Sequence, residues 1–444
     1  MMIMKPLFSF FAIVLFTFAA SAQKPTDVLA TATGHTIKLS DLSAEIQKAV
    51  ADLPSAIAKQ RTDLLNQMLY QRLLDFEAKA QNLSVGQLIV KEKKKVADPA
   101  EAEIKAVFDA NQSALAGKTP EQARKMVVTF LRSEPESKAI SAMFEALKTK
   151  YKVVIGKDIN TANLGSFETV ATVNGKAVSA QEYEEFARVT LYELRAELAD
   201  AVIEEATDVL FSALSIDEAK ALNIDSSAFI AQEVTDKMKD YTDEERNGLL
   251  DALQSRLFTK YKAMIVYTPP EPVVQVISVD DDPSVGAATA PVTIVMFSDF
   301  QCSACAATHP VLKKAMSAYP GKIRFVVRDY PLESIHENGF RSALAANAAN
   351  AQGKFAEYTE KLYSNQDKLD DASLKKYAAD LGLNVAQFEL DFNSEKTAAE
   401  VRKDMADGNA YGINSTPTIY INGVKARDLS VEGFKTAIDR ALKK

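Results

Sequence analysis

Two cysteines occur in the 444 residues, Cys302 and Cys305, and they form a Cys-Ser-Ala-Cys sequence. Two intervening residues place the second sulfur one helical turn from the first, close enough to join it in a disulfide. Such a pair exchanges electrons only if one sulfur is ionised and reachable, because the thiolate is the attacking species. The flanking residues supply the means of ionising it. Val292 to Phe297 is an apolar, β-branched run suited to a buried strand. After the cysteines, Val311, Leu312, Ala315 and Met316 recur at helical spacing. The pair therefore sits where a strand hands over to a helix, at the end where unpaired N–H groups and the peptide dipoles favour negative charge. This geometry predicts Cys302 as the attacking thiol at an exposed tip and Cys305, one turn in, as the resolving thiol.

Other uses of the pair fit less well. A c-type haem site needs His directly after the second cysteine, and position 306 is Ala. A zinc site could draw on Cys302, Cys305 and His309, but no second cysteine pair or histidine cluster offers a fourth ligand. A purely structural bridge closing so small a loop would constrain the unfolded chain only weakly. The expectation is a redox-active Cys302–Cys305 disulfide with no metal and no other cofactor.

A chain of this length divides into several domains, and 25% charged residues leave ample material for cores. A net charge of −8 disfavours a nucleic-acid partner, and the Lys91–Lys95 run reads as a solvated helix face. At the N-terminus, Lys5, the apolar segment Leu7–Ala19 and Ala20-Ser21-Ala22 have the pattern of a cleaved export signal over residues 1–22. The expected location is the periplasm, where a cysteine pair can cycle through its disulfide.

Residues 23–270 are mainly helical in pattern, and they repeat. Ala30-Thr-Ala-Thr-Gly34 returns as Ala171-Thr-Val-Asn-Gly175, and Glu77-Ala-Lys-Ala80 returns as Glu218-Ala-Lys-Ala221, both 141 positions on (34 to 175, 77 to 218). The copies close on Thr149-Lys-Tyr-Lys152 and Thr259-Lys-Tyr-Lys262, only 110 apart, so the first copy holds an extra piece near Glu101–Glu134. Leu65, Met68, Leu69, Leu73 and Phe76 share one helix face and read as module core. The expected modules are 23–165 and 166–268. The segment Val170–Tyr183 resembles the opening of the SurA-type N-terminal chaperone module, as does Asn111–Arg132 with its Gly-Lys-Thr-Pro-Glu. That resemblance implies a helical chaperone-like or assembly module capable of making a homo-oligomer. No prolyl-isomerase segment of the parvulin type accompanies it.

Thr268-Pro-Pro-Glu-Pro272 stops helix, and residues 269–279 read as a stiff linker. Val273–Ser278 is then a candidate leading strand. Beyond the cysteine helix, a second strand is expected at Ile323–Val327, parallel to the first. A helical insertion follows at about 337–411. The chain returns to strand over Ser415–Gly423, turns at Asn422-Gly423, and ends in an amphipathic helix, Val431–Leu442. The predicted class is α+β and multidomain: two tandem helical modules, then an order of βαβ, helical block and ββα that resembles the thioredoxin fold with a helical insertion.

Residues 280–444 resemble the DsbA-like thioredoxin-domain thiol–disulfide oxidoreductases. The resemblance is carried by Asp280-Asp-Asp-Pro283, Phe297-Ser-Asp-Phe-Gln-Cys-Ser-Ala-Cys305, His309-Pro310, Arg328-Asp-Tyr-Pro-Leu332, Gln352-Gly-Lys-Phe355 and Ser415-Thr-Pro-Thr418. It implies Cys302 as nucleophile, Cys305 as resolving thiol, and Thr416-Pro417 as the cis-proline element that binds substrate. Proline is the residue for which a cis peptide is cheap, although a proline opening a strand also suits an edge. Met296 stands where the family often has an acid, leaving Asp299 as the nearest substitute. Ser303-Ala304 lacks the Pro-His of the strongest oxidants. His309 reads as a packing histidine.

The implied function is an exported oxidase of cysteine-containing or unfolded proteins, renewed by a membrane redox partner of the DsbB/VKOR or DsbD kind. Isomerase or reductase activity, with the N-terminal modules dimerising the catalytic domains, is the near alternative. A holdase chaperone with an idle thioredoxin domain is the alternative of another class.

Overall fold

The structure is a computed structural model that describes residues 26–83, 85–113, 118, 120–333 and 335–443. The export-signal segment 1–22, and Gly117 and Thr119 of the Gly-Lys-Thr-Pro-Glu stretch, lie outside the described residues. The chain divides into two compact units, Met1–Pro270 and Glu271–Lys444.

The first unit contains, in order, β1 (Val28–Ala32), β2 (His35–Lys38), α1 (Ala44–Ala80), α2 (Val85–Lys93), α3 (Glu101–Ala110), α4 (Pro120–Lys150), β3 (Val154–Ile155), β4 (Thr169–Val173), β5 (Lys176–Ser179), α5 (Ala180–Ala221), α6 (Ser226–Glu233), α7 (Asp243–Tyr261) and β6 (Met264–Ile265). The repeat is visible in the elements. The hairpin β1–β2, α1 and α2 correspond to β4–β5, α5 and α6, and α3 with the start of α4 is the extra piece of the first copy. Asn174 and Gly175 both take positive φ, which a two-residue hairpin turn requires and an Asn-Gly pair supplies at little cost.

The recurring motifs touch each other. Glu77 accepts hydrogen bonds from Lys150 (2.5 Å) and Tyr151 (2.9 Å), while Glu218 pairs with Lys260 and accepts from Tyr261 (2.7 Å). The end of each copy is thus clamped to its own long helix. The cores, however, do not follow the sequence repeat. β6 pairs with β1, and β3 pairs with β4, so each hairpin is completed by the terminal strand of the other copy. One core joins Leu29, Ile37 and Val50 to Val202, Leu210, Leu214 and Leu257, and the other joins Leu65, Leu69 and Leu73 to Val170, Val178, Tyr183 and Leu191. The boundaries 23–165 and 166–268 therefore mark sequence copies, and each three-dimensional lobe takes its hairpin from one copy and most of its helical core from the other, with the start of the hairpin's own long helix. The physical cause is the length of α1 and α5: a helix of 37 or 42 residues reaches well beyond one core and enters the next.

The second unit contains β7 (Ser284–Val285), β8 (Val292–Ser298), α8 (Ser303–Met316), β9 (Ile323–Asp329), α9 (Gly339–Asn350), α10 (Phe355–Tyr363), α11 (Asp371–Asp380), α12 (Val385–Phe392), α13 (Glu395–Ala410), β10 (Thr418–Ile421), β11 (Val424–Lys425) and α14 (Val431–Leu442). Its five-stranded sheet runs β11-β10-β8-β9-β7, with β8 and β9 parallel and the other pairs antiparallel. The central strand β8 is buried over nearly its whole length, which explains why it reads as an unbroken apolar run. Val273–Ser278 does not form the leading strand. Only Val274 makes an isolated bridge, to Val424, and the sheet edge is Ser284–Val285 instead. In that segment the Ser278 N–H is taken by the Tyr411 hydroxyl rather than by a neighbouring strand. The insertion α9–α13 packs an alanine-rich face of α9 against Tyr358, Phe388 and Phe392.

Candidate functional site

Cys302 is the N-cap residue of α8, at the carboxyl end of the central strand β8. Its own N–H bonds to the Asp299 carbonyl (3.1 Å), and its carbonyl accepts the first helical bond, from Ala306 (3.2 Å). Gln366 fixes this turn from the insertion, its side-chain amide donating to the carbonyls of Phe300 (3.0 Å) and Cys302 (2.8 Å). The opposite wall is the loop before β10, where the Thr416–Pro417 peptide is cis. The Thr416 carbonyl lies 3.4 Å from the Cys302 sulfur.

Both cysteines are free thiols in this structure. Cys302 keeps 7% of its surface and Cys305 none. The expected exposed tip is thus a mostly covered sulfur: Thr416, distant in sequence, closes over it, and only a narrow opening is left. The difference between the two thiols remains. Cys305 is sealed, and Cys302 has what access exists.

Their electrostatics diverge strongly. The Cys302 thiol is pulled down to about 5, chiefly by the hydrogen bond from Cys305, with further help from the Thr416 side chain and the N–H groups of Cys305 and Ala304, against the opposing effect of burial. The Thr416 hydroxyl is buried and has no other partner, so it is free to serve the ionised sulfur. The Thr416 carbonyl works the other way, since it can accept only from the protonated thiol. Donors outnumber it, and the thiolate wins. Cys305 moves upward, because its proton is held by the Cys302 thiolate and because it is buried. A low first thiol and a high second one is the division of roles that nucleophilic attack and resolution require.

Asp299 does not occupy the position of a proton carrier for Cys305. Its carboxylate is spent on the N–H groups of Gln301 (2.8 Å) and Leu332 (2.8 Å) and on His336 (2.7 Å). His309 is buried, its ring against those of Tyr363 (5.0 Å) and Phe325 (6.3 Å), and burial depresses its protonation, as suits a packing histidine. Among the described residues no cluster of His, Cys, Asp or Glu could hold a metal ion.

Several residues to which the sequence assigned no role have buried polar partners in the same unit. Ser298 and Tyr363 share a hydrogen bond of 2.6 Å beside Cys305. Beneath the sheet, Arg328 is fully buried among Asp282, Asp404 and Asp407, with Asp280 at 3.9 Å. This ionic knot ties β9 to α13 and to the 280–282 loop. Asp282 there is pushed up to about 8, first by burial and then by Asp404.

Residues 278–440 match the family model described as Thioredoxin. The C-terminal unit is a thioredoxin-like domain. The chain is 33% identical over 166 residues to the Na(+)/H(+) antiporter NhaA 1 of Mycolicibacterium gilvum (strain PYR-GCK), covering 36% of this chain and 27% of that protein. It is 33% identical over 191 residues to the antiporter of the same name from Mycobacterium sp. (strain KMS), covering 41% of this chain and 31% of that one. The chain therefore spans under a third of the length of these curated relatives. Among solved structures, a thioredoxin-like oxidoreductase from Silicibacter pomeroyi DSS-3 is 26% identical, covering 37% of this chain and 93% of that chain with a TM-score of 0.34. Oxidised BdbD from Bacillus subtilis is 23% identical, covering 39% and 100%, with a TM-score of 0.36. Among the described residues, no helix is long and apolar enough to cross a membrane.

Proposed function

We propose that the thioredoxin-like domain catalyses thiol–disulfide exchange on protein substrates, with Cys302 as nucleophile and Cys305 as resolving thiol. The observation that carries this reading is the Cys302 sulfur at the N-cap of α8, its thiol lowered to about 5, facing Thr416 at 3.4 Å. In the oxidising direction, a substrate thiolate attacks the Cys302 sulfur of the Cys302–Cys305 disulfide. A substrate–Cys302 bond forms, the Cys302–Cys305 bond breaks, and Cys305 leaves with the electron pair and takes up a proton. A second substrate thiolate then attacks the substrate sulfur of the mixed disulfide and expels Cys302 as a stabilised thiolate. Two electrons pass from substrate to protein. A low-pKa leaving group favours this direction, because it makes the reduced protein more stable. The same steps reversed reduce or rearrange disulfides.

In this reading Thr416 and Pro417 bind an extended segment of the substrate beside the cysteines. The substrates are unfolded or cysteine-containing exported proteins, and the export pattern of residues 1–22 supports a periplasmic location. A membrane redox partner of the DsbB/VKOR or DsbD kind restores the disulfide. The interlocked repeat unit, a SurA-like module in this reading, holds client chains or a second copy of the protein. Refolding of reduced and of scrambled ribonuclease tests the assignment and separates oxidase from isomerase. Cys302→Ala should abolish the acceleration. An unchanged rate in that variant would end the reading.

A further inference from the structure

The resolving thiol is buried, and the position on β8 where an acid could serve it holds Met296, which lies in the same core layer as Cys305. The Asp299 carboxylate is occupied elsewhere, as described above. Two residues along the strand from Met296, on the same face by strand alternation, stands Ser298. Ser298 is buried on the strand face that packs the Cys305 layer, and its oxygen is 2.6 Å from the Tyr363 hydroxyl; it and the Asp299 N–H each favour the ionised form of Cys305, against the larger opposing effects of Cys302 and of burial. Tyr363, the last residue of α10, is held by ring contacts with Phe300 (5.3 Å) and His309 (5.0 Å).

A serine hydroxyl carries one proton. If it went to Tyr363, nothing would be left for sulfur. A phenol O–H is more acidic than a serine hydroxyl and so the stronger donor of the two, while burial pushes the ionisation of Tyr363 well above the ordinary tyrosine range and keeps that proton on the ring oxygen. With Tyr363 donating to Ser298, the Ser298 proton is free to point at Cys305.

We propose that Ser298 donates a hydrogen bond to Cys305 as it becomes a thiolate, and that Tyr363 positions Ser298 to do so. This inference rests on the exchange reaction proposed above. No proton travels along the pair. Each hydroxyl keeps its own, and the chain Tyr363 to Ser298 to Cys305 points its donors one way; the proton Cys305 loses before it attacks goes to solvent, the Cys305–Cys302 bond forms as the Cys302–glutathione bond breaks, and glutathione leaves as a thiolate. Successive hydrogen bonds of this kind polarise one another, and a donor to a charged sulfur is worth more than one to a neutral thiol. The pair thus stabilises the species that attacks the mixed disulfide without placing a carboxylate beside the cysteines.

The test uses the full chain with Cys302 loaded as a mixed disulfide with glutathione, and follows glutathione release by rapid quench across pH. The groups near Cys305 that titrate or carry charge are Cys302, Tyr363 and, acting on Tyr363, Asp299, Asp329, and His309 with its neighbour Glu360 at 3.7 Å. Ser298→Ala and Tyr363→Phe should each slow release about tenfold, the effect of losing one hydrogen bond to a charged group. Both should also move the pH dependence of release upward. Ser298→Thr should restore the wild-type profile, and the Ser298→Ala, Tyr363→Phe double variant should be no slower than Ser298→Ala alone. Circular dichroism on each variant separates a folding defect, and Tyr363→Phe keeps the ring contacts. Release at the wild-type rate and pH profile in both single variants, or strictly additive losses in the double, would overturn the proposal. Failure of the wild type to form or resolve any mixed disulfide would overturn the exchange reading beneath it.

Discussion

The Cys302 thiol offers the sharpest quantitative test, because the obvious comparison at neutral pH is misleading. With its pKa at about 5, Cys302 is ~99% thiolate at pH 7, whereas a free cysteine near 8.5 is ~3%. That is a roughly 30-fold advantage in reactive species. Intrinsic nucleophilicity falls with pKa by a Brønsted factor of about 0.4–0.5, which over ~3.5 units removes ~25- to 55-fold. The two effects nearly cancel, so alkylation by iodoacetamide at pH 7 should be close to that of a free thiol even before the cover of Thr416 is counted. At pH 5 the balance is different: Cys302 is half ionised, a free cysteine only ~0.03%, and Cys302 should react roughly 30- to 60-fold faster. The perturbation that probes the cause is Cys305→Ala, which deletes the main hydrogen bond lowering Cys302. A hydrogen bond to a charged group is worth about 1.5–3 kcal/mol, so the midpoint should rise by about 1–2 units. The assay is the alkylation rate from pH 4 to 9, read by mass shift. A wild-type midpoint near 8.5, or one unmoved by Cys305→Ala, would refute the argument that the second thiol ionises the first.

Three further outcomes follow from the same structure. Because the folded-state pKa of Cys302 is lowered, its contribution to stability is complete above about 8.5 and disappears as pH falls through about 5; denaturant melts of the reduced protein should show that slope, and Cys302→Ser should lose it. Asp282 has the opposite sign: raised to about 8, it contributes fully below about 4 and the contribution is lost as pH rises through about 8, so Asp282→Asn should flatten a decline in stability between about pH 4 and 8. Arg328→Met should destabilise the thioredoxin-like domain by about 3–5 kcal/mol in urea melts, since it leaves the buried Asp404 without its cation.

What the sequence made legible was local. The strand β8, the turn at Cys302 and the helix α8 read correctly because an unbroken apolar run and a helical period are signals carried by neighbouring residues. The repeat was legible too, down to Glu77 and Glu218, but likeness between copies says nothing about which copy packs against which. The exchange of hairpins depends on long-range pairing of β1 with β6 and β3 with β4, and two-residue strands leave almost no pattern. The same limit applies at the site. Ser298 sat in the quoted motif without a role, because its partner Tyr363 arrives from an insertion 65 residues away. Gln366 was an ordinary polar residue until the fold brought it to the Cys302 turn, and Asp280-Asp-Asp-Pro283 stood in the resemblance without a role until it met Arg328. Cys302 looked exposed because a helix N-terminus by itself is exposed; its cover comes from Thr416, 114 positions along the chain.

The central claim is that Cys302 and Cys305 form one working redox couple, and equilibration with glutathione tests it most directly. The chain has no tryptophan, so the state of the pair is read by thiol-labelling gel shift across a series of glutathione ratios. The account predicts a single two-electron transition, lost in Cys302→Ala, whose oxidised form passes its disulfide to a reduced protein substrate. Thiols that stay free at every ratio, or a disulfide that forms and is passed to nothing, would contradict it.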